Sequence, residues 1–311
     1  MKETIKIGTR SSKLALWQAN YIEEELLKYF PDLKIQLKEI KTKGDHITDV
    51  ALSKVGGKGL FTKEIEDALI NNEVDIAVHS LKDLPTKLPD GLKISAVLKR
   101  ENPCDVLISN NKVKFKELIS GSKIGTSSLR RIAQLKALRN DLEYIDLRGN
   151  LDTRIKKFES GEYDGVILAF AGVKRLGFEK LISEQFTTEQ ILPAVGQGTL
   201  AVETRENDPE IEKIISSINN HESYISAFCE RAFLERLQGG CQVPIGGISE
   251  IKNGKITIRG VIASLDGKRI IKGQNNGEIN SFQETGIQLA EQLLHNGGDK
   301  ILTEILETTF R

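Results

Sequence analysis

Short apolar runs and stretches with a helical period alternate along the first two thirds of the chain. Residues 4–8 and 34–40 predict strands. Between them a helix is predicted behind Ser11 and Ser12, because small hydroxyl residues cap helices and apolar side chains follow at steps of three and four. The chain therefore begins with a β-α-β unit.

The same alternation continues to about residue 218. The predicted strands are residues 75–79, 123–125, 144–147, 165–170 and 200–204. Helices are predicted to begin at Thr62, Ser127, Leu151 and Gly172, with one more over residues 211–218. Strands that alternate with helices in this way predict mostly parallel sheets covered by helices on both faces.

The pattern changes after residue 219. A helix over residues 225–237 ends at a Gly-Gly pair, and alternating stretches at 256–263 and 269–273 predict strands. A final helix is predicted over residues 281–295. This segment is typical of a small α+β domain.

Residues 42–59 carry four glycines, many charges and no sustained period, so they predict a long loop that serves as a lid or binding segment. Residues 56–59 lack the Lys-Ser/Thr ending of a Walker motif and the spacing of a dinucleotide fingerprint. A glycine hinge that brings Lys54 and Lys58 over a cleft is the better interpretation.

Charge and cysteine content exclude several classes of function. The 44 basic and 44 acidic residues cancel, which argues against a protein that holds nucleic acid by its overall field. The N-terminus has no apolar signal segment, so a cytoplasmic protein is expected. The odd number of cysteines favours reduced thiols, and the four histidines share no metal-ligand spacing with them, so no metal is expected.

Arginines concentrate in one part of the chain. Residues 123–175 contain six of them, namely Arg130, Arg131, Arg139, Arg148, Arg154 and Arg175. Small hydroxyl residues at 126–128 precede the first two, at a predicted helix start where an anion is stabilised. An ordinary helix cap with solvent-facing arginines is the alternative. We expect that two adjacent arginines are not both buried, so the cluster favours an anion site.

Two further segments are candidates for chemistry. Lys82 and Asp83 follow a buried strand, where open α/β sheets bind ligands, although for this segment alone a turn-forming aspartate is the favoured explanation. Cys241 follows two glycines that leave its sulfur uncrowded, as an attachment site requires. An inert thiol is an equal alternative for Cys241, and it is the favoured interpretation for Cys229, which lies on an apolar helix.

Taken together, these segments resemble the porphobilinogen deaminase family. The matching residues are 8–12 (GTRSS), 18–19 (QA), 56–64 (GGKGLFTKE), 75–85 (DIAVHSLKDLP), 125–131 (GTSSLRR), 147–150 (LRGN), 174–177 (KRLG), 196–198 (GQG) and 239–241 (GGC). They occur in the family's order. The resemblance is weakest beyond the cysteine turn.

The resemblance implies an α/β fold of three domains. Two are periplasmic-binding-protein-like (type II) α/β domains and the third is a small α+β C-terminal domain that carries the cysteine. Domain 1 would comprise residues 1–98 and 195–218, domain 2 residues 99–194 and domain 3 residues 219–311. It also implies a transferase of tetrapyrrole biosynthesis that joins four porphobilinogens head to tail and releases hydroxymethylbilane and ammonia.

The resemblance further implies a dipyrromethane cofactor, attached to Cys241 by a thioether, and a role for each site residue. Asp83 would stabilise the azafulvenium cation and contact pyrrole N–H groups. The cofactor would be bound by Ser80, Lys82, Asp83, Thr126, Ser128, Arg130, Arg131 and Arg154. The substrate and growing chain would be bound by Arg10, Ser12, Gln18, Lys54, Lys58, Phe61, Arg148, Arg154 and Arg175. A monomer without nucleic-acid or membrane partners is expected.

One departure and two rival functions bear on this interpretation. Cys104 stands where relatives usually carry arginine, which puts an ion pair between domains 1 and 2 in doubt. A non-catalytic solute-binding module would suit the two-domain architecture but has no need of Cys241. A cysteine-dependent transferase acting on another substrate would not consume porphobilinogen.

Overall fold

A computed structural model describes residues 2–46, 61–239 and 243–309. These residues form two compact units. The described part of unit 1 is residues 2–46, 61–101 and 199–224, and that of unit 2 is residues 102–198, 225–239 and 243–309. Unit 1 is therefore discontinuous along the sequence.

Strands and helices are numbered in chain order over the described residues. The strands are β1 (Thr4–Thr9), β2 (Lys34–Glu39), β3 (Ile76–Ser80), β4 (Leu92–Val97), β5 (Asp105–Ser109), β6 (Lys123–Gly125), β7 (Glu143–Ile145), β8 (Gly165–Ala169), β9 (Glu184–Gln185), β10 (Leu200–Arg205), β11 (Ile245–Lys252), β12 (Lys255–Ala263) and β13 (Ile270–Glu278). The helices are α1 (Lys13–Tyr29), α2 (Lys43–His46), α3 (Lys63–Ile70), α4 (Leu129–Leu138), α5 (Leu151–Glu159), α6 (Phe170–Arg175), α7 (Pro209–Ile215), α8 (His221–Arg236), α9 (Phe282–Leu293) and α10 (Asp299–Thr309).

Unit 1 is built on a five-stranded sheet with the order β2-β1-β3-β10-β4. Strand β1 pairs in parallel with β2 and β3, whereas β10 runs antiparallel to β3 and β4. Its main core joins apolar residues of the sheet to the buried faces of α1 and α7, with Ile22 and Ile214 fully buried. The carboxyl ends of β1 and β3 lie together as a result, which places the segments after them side by side.

Unit 2 contains a second five-stranded sheet, with the order β7-β6-β8-β5-β9. Strand β6 pairs in parallel with β7 and β8, and β5 runs antiparallel to β8 and β9. Helix α4 follows β6 directly, with Ser128 as its N-cap residue. The start of α4 therefore lies at the carboxyl end of β6, on the edge of the sheet where the parallel strands β7 and β8 also end.

The C-terminal part of unit 2 is an antiparallel sheet, β11-β12-β13, packed against α8 and α9. Phe233 of α8 and Leu289 of α9 are fully buried against it. Gly260 makes this packing possible, because a Cβ there would lie 2.6 Å from the Cζ of Phe233. Glycine is thus required on β12 for the helix to approach the sheet.

The predicted fold class is confirmed, since two α/β sheets of five strands are followed by a small α+β segment. The expectation of mostly parallel sheets is wrong, because half of the strand pairings in each five-stranded sheet are antiparallel. A strand buried on both faces is apolar throughout, whether it pairs in parallel or antiparallel. The hydrophobic pattern therefore does not distinguish parallel from antiparallel pairing. The division into three domains stays a prediction.

Candidate functional site

A pocket in unit 1 collects six of the residues predicted to bind substrate or cofactor. They are Arg10, Ser12, Gln18, Phe61, Ser80 and Asp83. The pocket lies where β1 and β3 end, between the start of α1 and the start of α3. The parallel order of β1 and β3 brings these segments together from positions more than 60 residues apart.

The start of α1 is fixed to the end of β3 by side chains. Ser12 caps the helix, as predicted, by accepting a hydrogen bond from the backbone N–H of Ala15 at 3.3 Å. One turn later Gln18, which is buried, donates from Nε2 to Ser80 Oγ at 2.8 Å. These bonds hold the polar side of the pocket in place.

Arg10 and Phe61 form a second pair in the pocket. The guanidinium carbon of Arg10 lies 4.4 Å from the centroid of the Phe61 ring, which is a cation–π contact. The stacked ring restricts the arginine without using its N–H donors. Those donors suit a carboxylate, which pairs with guanidinium through two parallel hydrogen bonds.

Asp83 stands at the end of a short 3-10 turn, Leu81–Asp83, that follows β3. Leu81 is buried, and its backbone N–H donates to the carbonyl of Thr199 at 3.0 Å. Asp83 itself is exposed, and its carboxylate makes no ion pair with a residue that the structure describes. The turn thus presents a carboxylate to the pocket, with Lys82 half-buried beside it.

Three buried titratable residues form a cluster at this pocket that was not predicted, and one of them, His79, lines the pocket. His79 Nε2 lies 3.0 Å from Glu203 Oε2, and Glu66 of α3 is buried next to them. Burial raises the pKa of Glu66, and the charge of Glu203 acts in the same direction, while Thr62 and His79 oppose the shift. The sequence signals of this cluster were Glu203 inside the predicted strand 200–204 and His79 at the end of the predicted strand 75–79.

In unit 2, Arg130 and Arg131 are both buried, so the expectation that two adjacent arginines are not both buried is wrong. The reason is Asp105 of β5, which lies fully buried between them. Arg130 donates to Asp105 Oδ2 at 2.7 Å, and Arg131 donates from Nε and Nη2 to Oδ1 at 3.1 and 2.8 Å. Gln197 Nε2 donates to the same Oδ1 at 2.9 Å.

The charges of this cluster do not cancel, since two guanidinium groups face one carboxylate. Burial alone would raise the pKa of Asp105, but Arg130 and Arg131 outweigh it and hold the pKa well below its usual range. Asp105 therefore stays ionised. One net positive charge remains, which fits an anionic ligand at the start of α4.

The other predicted residues of unit 2 also make protein contacts. Ser128 accepts a hydrogen bond from Arg131 N as the α4 cap, and Thr126 is buried beside it. Arg148 pairs with Asp146 at 3.3 Å, and Arg154 Nε donates to the carbonyl of Gly149 at 2.8 Å. Arg175 Nη2 donates to the carbonyl of Gly198 at 2.8 Å. All three arginines are half-buried, and their binding of substrate stays a prediction.

Cys104 and Cys229 are buried free thiols. Burial raises the pKa of both, so neither thiol forms a thiolate readily. Gly239, which precedes the predicted attachment site, has no room for a side chain, because a Cβ would lie 2.4 Å from Leu234 Cδ1. Cys241, Lys54 and Lys58 lie outside the described residues.

No described helix combines the length and the apolar character that crossing a bilayer requires. Across residues 2–46, 61–239 and 243–309, no group of His, Cys, Asp and Glu side chains could hold a metal ion.

Comparison with known proteins gives matches along nearly the whole chain. Residues 5–213 match the family model "Porphobilinogen deaminase, dipyromethane cofactor binding domain", and residues 224–295 match "Porphobilinogen deaminase, C-terminal domain". The porphobilinogen deaminase of Carboxydothermus hydrogenoformans is 54% identical over 98% of both chains. That of Syntrophomonas wolfei is 52% identical over 96% of this chain and 98% of its own.

Among solved structures, the periplasmic VFT2 domain of Bordetella pertussis BvgS gives a TM-score of 0.42 at 14% identity. The match covers 70% of this chain and 86% of that domain. The sequence relatives and family models are decisive, because they extend over both units. The chain belongs to the porphobilinogen deaminase family.

Proposed function

We propose that this chain deaminates four porphobilinogen molecules and joins them head to tail on a covalently bound dipyrromethane primer, releasing hydroxymethylbilane and ammonia. The observation that carries the proposal is the pocket of unit 1, in a chain of this family. There Asp83, which makes no ion pair with a described residue, lines the same pocket as the stacked guanidinium of Arg10 and the Gln18–Ser80 hydrogen bond. Opposite charges on one small pocket suit a substrate that is both an acid and a precursor of a cation.

Asp83 is assigned two tasks in this reaction. Its carboxylate accepts hydrogen bonds from pyrrole N–H groups, which orients the ring in the pocket. When ammonia leaves the aminomethyl group of porphobilinogen, positive charge spreads over the ring, and a fixed carboxylate stabilises that charge. The exposure of Asp83 and its freedom from ion pairs with described residues support both tasks.

The arginines are proposed to bind the acidic side chains of the pyrroles. Each pyrrole carries an acetate and a propionate, so a chain of pyrroles presents many carboxylates. Arg10 of unit 1, and Arg130, Arg131, Arg148, Arg154 and Arg175 of unit 2, would pair with them, helped by Ser12, Thr126 and Ser128. The net positive charge around Asp105 supports this assignment for the start of α4.

The donor set of the chain fits a dipyrromethane cofactor, which brings carboxylates and pyrrole N–H groups. Guanidinium and hydroxyl groups near the start of α4 suit its carboxylates, and Asp83 with Ser80 and Lys82 suits its rings. When bound, the cofactor supplies the free ring carbon to which the first substrate is joined. Cys241 is the proposed attachment site, because burial disfavours thiolate formation at both other cysteines.

The proposal also covers the domain boundaries, the location and oligomeric state of the chain, and the closure of the pocket. The chain comprises three domains with boundaries near residues 98, 195 and 219. It acts in the cytoplasm as a monomer, without a membrane or nucleic-acid partner. Lys54, Lys58 and Phe61 help to close the pocket over the substrate.

Changing Cys241 to Ser will give a chain whose intact mass equals that of the bare sequence, because serine does not form the thioether. Cys104→Ser is the matched control, and that variant should keep the added mass of the cofactor. Mass spectrometry of both purified chains measures the difference. A normal adduct on the Cys241→Ser chain would contradict the assignment of the attachment site.

The same purified chains distinguish the proposed function from the rival one, a module that binds solutes without catalysing a reaction. It predicts that porphobilinogen is bound and recovered unchanged. The deaminase proposal predicts that porphobilinogen disappears while ammonia and a linear tetrapyrrole form in a ratio of four to one. A chain that carries the adduct but consumes no porphobilinogen would favour a transferase acting on another substrate.

A further inference from the structure

Glu230 of α8 joins two parts of unit 2 through its carboxyl group. The residue is 0% exposed. Its Oε2 accepts a hydrogen bond from the backbone N–H of Gly196 at 2.8 Å, and its Oε1 accepts one from the backbone N–H of Ser249 on β11 at 2.7 Å. The Ser249 hydroxyl lies 3.0 Å from the same Oε1. Because both oxygens are bonded, the side chain fixes the position of Gly196 relative to α8 and β11.

Gly196 belongs to a connecting segment, residues 192–198, that leads along the chain to β10. At the start of this segment, the carbonyl of Leu192 accepts a hydrogen bond from Nη1 of Arg130 at 2.8 Å. The carbonyl of Pro193 accepts one from the backbone N–H of Gly247 on β11 at 2.9 Å. The connecting segment therefore contacts both the buried arginines of α4 and the C-terminal sheet.

Two glycines of the connecting segment have left-handed backbone conformations. Gly196 has a φ of 72° and Gly198 has a φ of 89°, on either side of Gln197. Glycine adopts such angles without strain, but it adopts many others as easily, so the hydrogen bonds around this turn must select its conformation. The N–H of Gln197 donates to the carbonyl of Ala194 at 2.9 Å, and the bond from Gly196 to Glu230 attaches the turn to α8. Glu230 therefore stabilises one orientation of the turn.

This turn supplies partners to the charged groups of unit 2. Gln197 is buried, and its Nε2 donates to Asp105 Oδ1 at 2.9 Å and to the carbonyl of Pro103 at 2.6 Å. Asp105 is the counter-charge of the two buried arginines of α4. The carbonyl of Gly198 accepts a hydrogen bond from Arg175 Nη2 at 2.8 Å. A displaced turn would therefore move the partners of three arginines that are proposed to bind carboxylates.

We propose that Glu230 is a positioning residue for the arginines of unit 2, because it holds the turn at residues 196–198 against Asp105 and Arg175. Glu230 has no exposed surface, so it acts on a ligand only through these arginines. Its removal should weaken the binding of the carboxylates of porphobilinogen more than the chemical step. This effect rests on the proposed function, whereas the anchoring of the turn does not.

Three variants separate this role from a general loss of packing. Glu230→Met has a side chain of similar length but carries no oxygen, so the N–H of Gly196 loses its partner. Glu230→Gln keeps one oxygen for Gly196, and the hydroxyl of Ser249 can accept a hydrogen bond from its NH2 group. Ser249→Ala is the matched control, because it removes the hydroxyl from this cluster but leaves both backbone N–H groups bonded to the carboxyl.

Hydrogen exchange of the holoenzyme labelled with 15N-glycine, followed by NMR, tests the anchoring without substrate. In the wild type and in Ser249→Ala, the N–H of Gly196 should exchange slowly. In Glu230→Met it should exchange about tenfold faster, because a buried hydrogen bond is lost. The N–H of Gly247, whose partner is the carbonyl of Pro193, should keep its rate. Fast exchange of Gly196 in the wild type, a result that needs no variant to fold, or an unchanged rate in Glu230→Met would overturn the proposal.

Steady-state kinetics of chains that carry the cofactor adduct test the positioning role. Glu230→Met should raise KM for porphobilinogen about tenfold and leave kcat close to that of the wild type. Glu230→Gln should recover most of that loss, and Ser249→Ala should show the wild-type KM. An unchanged KM in Glu230→Met, or a fall in kcat alone, would refute positioning. A wild type that consumes no porphobilinogen would refute the proposed function instead, and the exchange rate of Gly196 would still test the anchoring.

A second substitution, Gln197→Met, tests whether Glu230 acts through the connecting segment. It removes the bonds from Gln197 Nε2 to Asp105 and Pro103 and leaves Glu230 in place. If both residues act through the same turn, KM of the chain with Glu230→Met and Gln197→Met should be close to that of the weaker-binding single variant. A KM raised by the product of the two single effects would show that Glu230 acts by another route, which would overturn the proposal.

Discussion

Asp83→Asn will retain the fold and lower kcat for porphobilinogen by about 10²–10³-fold, the usual loss when one group that stabilises a transition-state charge is removed. The amide has the size of the carboxylate, and Asp83 is exposed at the end of a turn that is held by backbone bonds of Leu81. A neutral amide can still accept a hydrogen bond from a pyrrole N–H. It does not balance the positive charge that develops as ammonia leaves. KM should therefore change much less than kcat.

Asp90→Asn provides the matched control for this variant. Asp90 is also exposed and lies seven residues further along the chain, but it does not line the pocket. Steady-state assays of ammonia release should find wild-type kcat for Asp90→Asn. Near-normal kcat for Asp83→Asn would show that its charge is not used in the reaction.

Asp105→Asn should lower the free energy of unfolding by about 3–5 kcal/mol, because it leaves two buried guanidinium groups without their counter-charge. The loss depends on pH in a defined direction. Asp105 has a lowered pKa in the folded state, so its contribution is present above the ordinary aspartate pKa of about 4 and is lost as the pH falls. The wild type should approach the variant in stability as acid is added.

Urea unfolding curves of the two chains at several pH values measure this effect. Asp141→Asn is a suitable control, because Asp141 pairs with Arg139 at an exposed site where ion pairs contribute little. That variant should unfold close to the wild type. If Asp105→Asn did the same, the buried ion pairs of Arg130 and Arg131 would not stabilise unit 2.

Local signals in the sequence were sufficient for much of the fold, whereas most residues of the pocket were named through the resemblance to a family. The hydroxyl of Ser12 and the apolar steps behind it fixed the start of α1, and a continuous apolar run fixed β3. The structure adds that β1 and β3 are parallel, so that their carboxyl ends meet and Ser80 and Asp83 line one pocket with Arg10. The helix start and the strand follow from neighbouring residues alone, whereas the pocket joins positions more than 60 residues apart.

Contacts between residues far apart in the sequence were not predicted. Arg130 and Arg131 were not expected to be both buried, and their pairing with Asp105, some 25 residues earlier, makes burial favourable. The pair of His79 and Glu203 spans 124 residues and depends on β10 entering the sheet antiparallel to β3. Neither periodicity nor composition encodes which buried charges meet. Such pairs follow from topology.

The intact mass of the chain, measured before and after addition of porphobilinogen, tests the central claim most directly. We expect a purified chain heavier than its sequence by one dipyrromethane. Further species should appear with porphobilinogen, each heavier than the last by one porphobilinogen less ammonia. A chain with the mass of the bare sequence, and no added species with substrate, would contradict the proposed function.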